Sequence, residues 1–284
     1  YLTGYNSQKI KPECVMKYLF ILFALMAQSA LAQERVISAG GTLTEIIYAL
    51  GKQNTLVAID QSSMYPHQAT QLPQVGYYRD LAAEGVLSMR PTTLLALEGA
   101  GRSQALKQIE ATGVKLIHYK KPTSVNELLE LIKRLGTDLN AKQKAQTLIT
   151  HITKSLPEKA KAQTHSALFL LSANERGLIA AGQETVPNLL FSYAGITNIG
   201  ATHSGFKAIN SEVLAVNQPD FLVAPAHVVH SLGGKQAFCE QPNLRLLKAA
   251  QTCNLLVMDS LLSLGMSPRI ATAINELNEY KAHL

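Results

Sequence analysis

Arg35-Val36-Ile37-Ser38-Ala39-Gly40-Gly41-Thr42-Leu43-Thr44-Glu45-Ile46-Ile47-Tyr48-Ala49-Leu50-Gly51 is the stretch that decides the fold. Arg35 to Ser38 is short and rich in β-branched residues, the signature of a buried strand. Gly40-Gly41 turns the chain. Thr42 and Glu45 have the spacing of a capping box. The helix they open carries Ile46, Ile47 and Leu50 on its apolar side and stops at Gly51. A glycine pair ahead of a helix serves either as a tight turn, the commoner role, or as a seat for an anion at the helix N-terminus.

The same alternation continues outward. Leu56–Ile59, Thr93–Leu97 and Val114–Ile117 read as strands, with helices over Ser103–Thr112 and Ser124–Leu135 between them. From about Asn140 to Gln163 the strand signal disappears, and Ala, Lys and Gln dominate. This is one long helix, with Pro157 a kink or break. The alternation then restarts with strands Ala167–Leu171, Phe221–Ala224 and Leu255–Met258 and a helix over Val186–Tyr193. The expected fold class is α/β: two Rossmann-like lobes with mainly parallel central sheets, joined by one long linking helix. The expected boundaries are an N-terminal lobe over 33–139, the linking helix over 140–163 and a C-terminal lobe over 164–284.

An internal repeat supports two lobes. Glu84-Gly85-Val86-Leu87-Ser88-Met89-Arg90-Pro91 leads into one strand, and Glu212-Val213-Leu214-Ala215-Val216-Asn217-Gln218-Pro219 leads into another.

Composition narrows the class. The chain has 284 residues, 47% hydrophobic and 16% charged, which supports a packed core rather than disorder. Its net charge of +6 is scattered, with no basic stripe of the nucleic-acid-binding kind. Met16-Lys17, the apolar run Tyr18–Ala27 and Ala30-Leu31-Ala32 form a secretory signal peptide. The run is too short for a permanent membrane span. The expectation is a soluble protein of the bacterial periplasm, with residues 1–32 comprising upstream residues and the signal. Their removal takes away three Lys and one Glu and leaves a net charge of +4. It also leaves Cys239 and Cys253, which in an oxidising compartment either pair or stay free.

No catalytic motif stands out: there is no nucleophile elbow, Walker loop or His-Glu-x-x-His. The expectation is a binding protein rather than an enzyme. Gly76-Tyr77-Tyr78-Arg79-Asp80 is an unusual loop, offering two phenols and a guanidinium. A phenolate is a ligand for ferric iron, tyrosine among them for haem, and a nearby cation favours the phenolate. The other reading places both tyrosines in the core. Of the histidines, His227 and His230 follow a strand end, where α/β sheets bind ligands. His67, His118 and His227 could also converge on a metal.

Several segments resemble the periplasmic haem-binding proteins of ABC importers. They are Ser38 to Gly51, Val75 to Pro91, Gly205-Phe206-Lys207 with Glu212, Leu232-Gly233-Gly234 and Leu264-Gly265-Met266-Ser267-Pro268-Arg269. The opening segment is shared with cobalamin and siderophore binders, whereas Gly-Tyr-x-Arg is more specific to haem. The resemblance implies two lobes that close little, with haem b held in its ferric form in the cleft between them. Tyr77 would bind the iron, and Arg79 would steady the tyrosinate. Glu84 and Glu212 would dock arginines of the permease, which works with its ATPase. Tyr78 adds a second phenol, His227 or His230 a candidate sixth ligand, and Lys207 a basic group for a propionate. A monomer is expected. A carrier of a ferric siderophore or cobalamin is the alternative within the same fold.

Overall fold

A computed structural model of the chain describes residues 34–174, 177–210, 214 and 216–284. The signal peptide and Glu212 lie outside the described residues. Arg35–Leu284 form one compact unit.

The first sheet comprises β1 (Val36–Ala39), β2 (Leu56–Ile59), β3 (Thr93–Leu97) and β4 (Lys115–Tyr119) in the order β2-β1-β3-β4. All its pairings are parallel. Its helices are α1 (Gly41–Ala49), α2 (Ala83–Ser88), α3 (Ser103–Ala111) and α4 (Val125–Asp138). Next come α5 (Lys142–Ser155), β5 (His165–Asn174), β6 (Gly177–Ala181), α6 (Val186–Ala194), β7 (Ile196–Asn198), β8 (Phe206–Ile209) and β9 (Phe221–Pro225). The chain ends with α7 (Ala226–Ser231), α8 (Lys235–Cys239), α9 (Lys248–Gln251), β10 (Leu255–Met258), α10 (Ser260–Leu264) and α11 (Ile270–Lys281).

The second sheet runs β10-β9-β5-β6-β8, with β7 also on β5. β7, β9 and β10 pair in parallel, whereas β6 and β8 extend the sheet as an antiparallel ribbon. Strands β1, β3 and β9 are buried along their whole length, as central parallel strands must be when both faces are covered.

The two faces of each sheet go to different cores. Leu95, Leu97, Phe169, Phe221 and Val223 belong to one apolar cluster that draws on both sheets and on α1, α4, α6 and α11. The alternate residues Leu94 and Ala96 pack on the far side of the first sheet. Leu168, Leu222 and Ala224 do the same on the second. The period-two alternation of strand side chains therefore places the two sheets around one shared core.

The two halves of the Glu-to-Pro repeat agree wherever they are described. Val86 and Leu214, each two residues after the glutamate, are both fully buried. Pro91 and Pro219 are both buried, and each leads into a strand lying between two parallel neighbours.

Two local expectations change. The helix expected over 140–163 is α5, which stops at Ser155, and Leu156 ahead of Pro157 is extended, as a pre-proline residue must be. The capping box expected at Thr42 and Glu45 does not form: α1 starts at Gly41, with Gly40 as its N-cap and no side-chain cap. A comparable device sits on α4, where Ser124 Oγ accepts from the Glu127 amide and Glu127 accepts from the Thr123 amide and hydroxyl.

Candidate functional site

The C-terminal edge of the first sheet gathers the groups with chemical potential. Gly40 has φ +130°, and a Cβ there would lie 2.7 Å from Leu97 Cβ, so the turn after β1 requires glycine. Its amide donates to Asp60 Oδ1 at 2.9 Å. Asp60, fully buried, also accepts from the Ser62 amide (2.8 Å), the Ser62 hydroxyl (2.6 Å) and the Ser63 hydroxyl (2.7 Å). The anion at this turn is thus the protein's own carboxylate, which fixes the loop leaving β2.

That loop doubles back along β2. Val75 N donates to Ile59 O, and Gln61 N donates to Gly76 O. Gly76 has φ +94°, which swings the next residue out to the sheet edge. Tyr77 is therefore 45% exposed, whereas Tyr78 is 7% exposed and packs into the outer core of the first sheet. The two rings meet edge to face, 5.1 Å between centroids. Arg79 donates Nε to Tyr78 Oη at 2.8 Å.

This arrangement assigns the two phenols different roles. Tyr78 is a core residue whose hydroxyl is held by Arg79. Tyr77 presents its face to solvent. Its phenol is pushed above the usual range by partial burial and by neighbouring Tyr78, with Arg79 pulling the other way without prevailing. Tyr77 is accordingly a neutral phenol at neutral pH, where the sequence suggested a cation-favoured phenolate.

The remaining expected residues are dispersed. Glu84 is exposed in the first turn of α2. Lys207 is exposed on the edge strand β8, opposite Ala180. His227 opens α7 at the C-terminal end of β9; its Nδ1 lies 2.7 Å from Ser260 Oγ, and burial lowers its pKa. His67 and His118 are exposed, and among the described residues no group of three His, Cys, Asp or Glu could hold a metal. Convergence of His67, His118 and His227 on a metal is therefore not found. Cys239 and Cys253 are joined in a disulfide with Cα atoms 5.5 Å apart.

Three groups at this edge escaped sequence reasoning. Glu98 directly follows β3, and Lys121 lies just beyond β4; Glu98 Oε2 accepts from the Lys121 amide at 3.1 Å. Tyr65 lies under Arg269, whose guanidinium carbon is 3.5 Å from the ring centroid. The position of Glu98 and Lys121 just after parallel strands was a usable signal.

A parallel sheet whose strand ends present exposed aromatic and basic groups, set around a core shared with a second α/β sheet, defines a binding protein of the two-sheet periplasmic class. The chain belongs to the family described as periplasmic binding protein, matched over residues 36–262. It is similar to the vitamin B12-binding protein of Vibrio vulnificus (strain YJ016), 25% identical over 94% of this chain and 96% of that one. Among solved structures it is similar to the periplasmic heme-binding protein RhuT from Roseiflexus sp. RS-1, 29% identical with a TM-score of 0.79 over 88% of this chain and 99% of that one. It is also similar to a periplasmic heme-binding protein from Pseudomonas aeruginosa, 31% identical with a TM-score of 0.72 over 86% and 91% of the two chains. Among the described residues no helix is long and apolar enough to cross a membrane.

Proposed function

We propose that this protein carries ferric haem in the periplasm and delivers it to an ABC permease and its ATPase, without chemical conversion of the cargo. The observation that carries the reading is the exposed Tyr77 phenol at the strand ends of the first sheet, backed by Tyr78 and Arg79. Phenolate oxygen is an axial ligand for haem iron. The likeness to solved heme-binding proteins at 29% and 31% identity supports haem over other cargoes. Arg79, by holding Tyr78, keeps the ring against which Tyr77 stands. Lys207 and His227, from the second half of the chain, are the groups to meet a propionate or the second axial position. The lobes divide near residues 140–163, where α5 links the two sheets. Glu84 and Glu212 form the acidic pair for the permease, where complementary charge sets register and encounter rate. Met16–Ala32 is the export signal.

A second reading, carriage of cobalamin, is favoured by the similarity to the Vibrio vulnificus vitamin B12-binding protein. Titration of the purified protein with ferric haem, followed by competition with cyanocobalamin, tests both. Haem bands of the tyrosinate type that cobalamin does not displace support haem; binding of cobalamin alone replaces that reading with the second.

A further inference from the structure

The charges around Tyr77 are not evenly compensated. Arg102 Nη2 is 3.0 Å from Asp80 Oδ1, and Lys120 Nζ is 2.7 Å from Glu127 Oε1. Among the described residues, Arg79 and Lys121 have no carboxylate within ion-pair distance. Glu98, the acid nearest Lys121 along the sheet edge, spends Oε2 on the Lys121 amide rather than on the ammonium. The Gly101 amide donates to Tyr78 O at 2.7 Å, so the β3 and β4 ends are tied to the tyrosine loop. Lys121 is half-buried there, next to the buried Pro122. Burial and the repulsion of Arg79 both push its pKa down, more than Glu98 restores it.

A half-buried cation beside a like charge is a costly arrangement for an empty protein, and an anion from outside relieves it. We infer that Lys121, together with Arg79, receives a carboxylate of the cargo whose iron is bound by Tyr77. This rests on the haem reading and deepens it, by assigning the cargo's acidic side chains a seat on the first sheet. It also gives the site a basis for selection. Haem carries two carboxylates, whereas the corrin of cobalamin carries amides in their place, and amides do not compensate a cationic pair.

The test compares wild type, Lys121→Gln and Lys121→Arg, each titrated with ferric protoporphyrin IX and with its dimethyl ester. The expected result is that Lys121→Gln weakens free-acid binding about tenfold, leaves the ester unchanged and keeps the iron spectrum, since only a charge-assisted hydrogen bond is lost. Lys121→Arg retains the preference for the free acid. The empty Lys121→Gln protein should melt no lower than wild type. An equal loss for acid and ester, or no loss for either, overturns the assignment of Lys121 while leaving the haem reading intact. Failure of wild type to bind either porphyrin overturns the haem reading, and this inference with it.

Discussion

Arg269 grips Glu45 with two parallel hydrogen bonds, Nε to Oε1 and Nη2 to Oε2, each 3.1 Å long and spanning 224 residues of sequence. Glu45 is 3% exposed on α1, beside the first sheet. Arg269 is the N-cap of the last helix, beside the second. The same guanidinium reaches Asp259 Oδ1 at 3.4 Å and covers the Tyr65 ring. Gly41 packs at this junction too, since a Cβ there would lie 2.5 Å from Ser62 O and 2.9 Å from Leu261 Cδ1. With the shared core behind it, this fork ties the two sheets together and is consistent with a binding protein that closes little.

Breaking the fork should expose a buried charge. Replacing Arg269 with Met is expected to cost about 3–5 kcal/mol at pH 7, because Glu45 is left without its partner. Burial already pushes the Glu45 carboxyl above its usual 4.5, against the pull of Arg269. Without Arg269 that rise grows. A carboxylate with a raised folded-state pKa costs nothing below its unfolded value, and the penalty grows as pH climbs past it. The deficit of Arg269→Met against wild type should therefore be larger at pH 7 than at pH 4.5, measured by urea unfolding at both. An equal deficit would mean that packing, not charge, is what Arg269 contributes.

Iron binding at Tyr77 should release a proton. Its phenol sits above the usual value of 10.0, so at neutral pH the empty protein holds the proton and the iron must displace it. Titration with haem in weak buffer near pH 7.5 is expected to release about one proton per haem at this ligand, and affinity should rise with pH by up to tenfold per unit. Tyr77→Phe should abolish both the release and the tyrosinate bands, whereas Tyr77→Phe that still releases the proton points to another ligand.

Asp60 should prove structural. Asp60→Ala removes the acceptor for two backbone amides and two hydroxyls in a fully buried site. The expected cost is on the order of 3 kcal/mol or more, since unsatisfied buried donors retain their desolvation penalty. Denaturant unfolding measures it. Loss of haem binding without loss of stability would instead make Asp60 a ligand group.

The disulfide should be worth keeping. Cys239–Cys253 closes a span of 14 residues from α8 to the residues before β10. Closing a loop of this length contributes about 3 kcal/mol by restricting the unfolded chain. Replacing both cysteines with Ala should lower unfolding free energy by about that amount, and dithiothreitol should do the same to wild type but nothing to the variant.

The fold was legible wherever burial alone shapes the pattern. Leu56–Ile59, Thr93–Leu97 and Leu255–Met258 are strands at the bounds their apolar runs suggest. β6, β7 and β8 were not legible. Gly177–Ala181 and Phe206–Ile209 are short, partly exposed and held by antiparallel pairing with distant residues rather than by a run of their own. At the site, Tyr77, Tyr78 and Arg79 stood out because two phenols beside a guanidinium are unusual in a loop. Lys121 and Glu98 did not, because a lysine or glutamate after a strand has no local signature.

The order of strands and helices, the glycine turn after β1 and the tyrosine loop were all contained in the sequence, because each depends on neighbours a few residues away. Which phenol faces outward, which carboxylate fills the turn at Gly40 and where Glu45 finds its partner were decided only in three dimensions. Those choices depend on groups 20 to 224 residues apart that meet only after the chain has packed. A spacing such as Thr42 to Glu45 can promise a cap, but a buried arginine from the far end of the chain offers the carboxylate a stronger, charge-assisted partner.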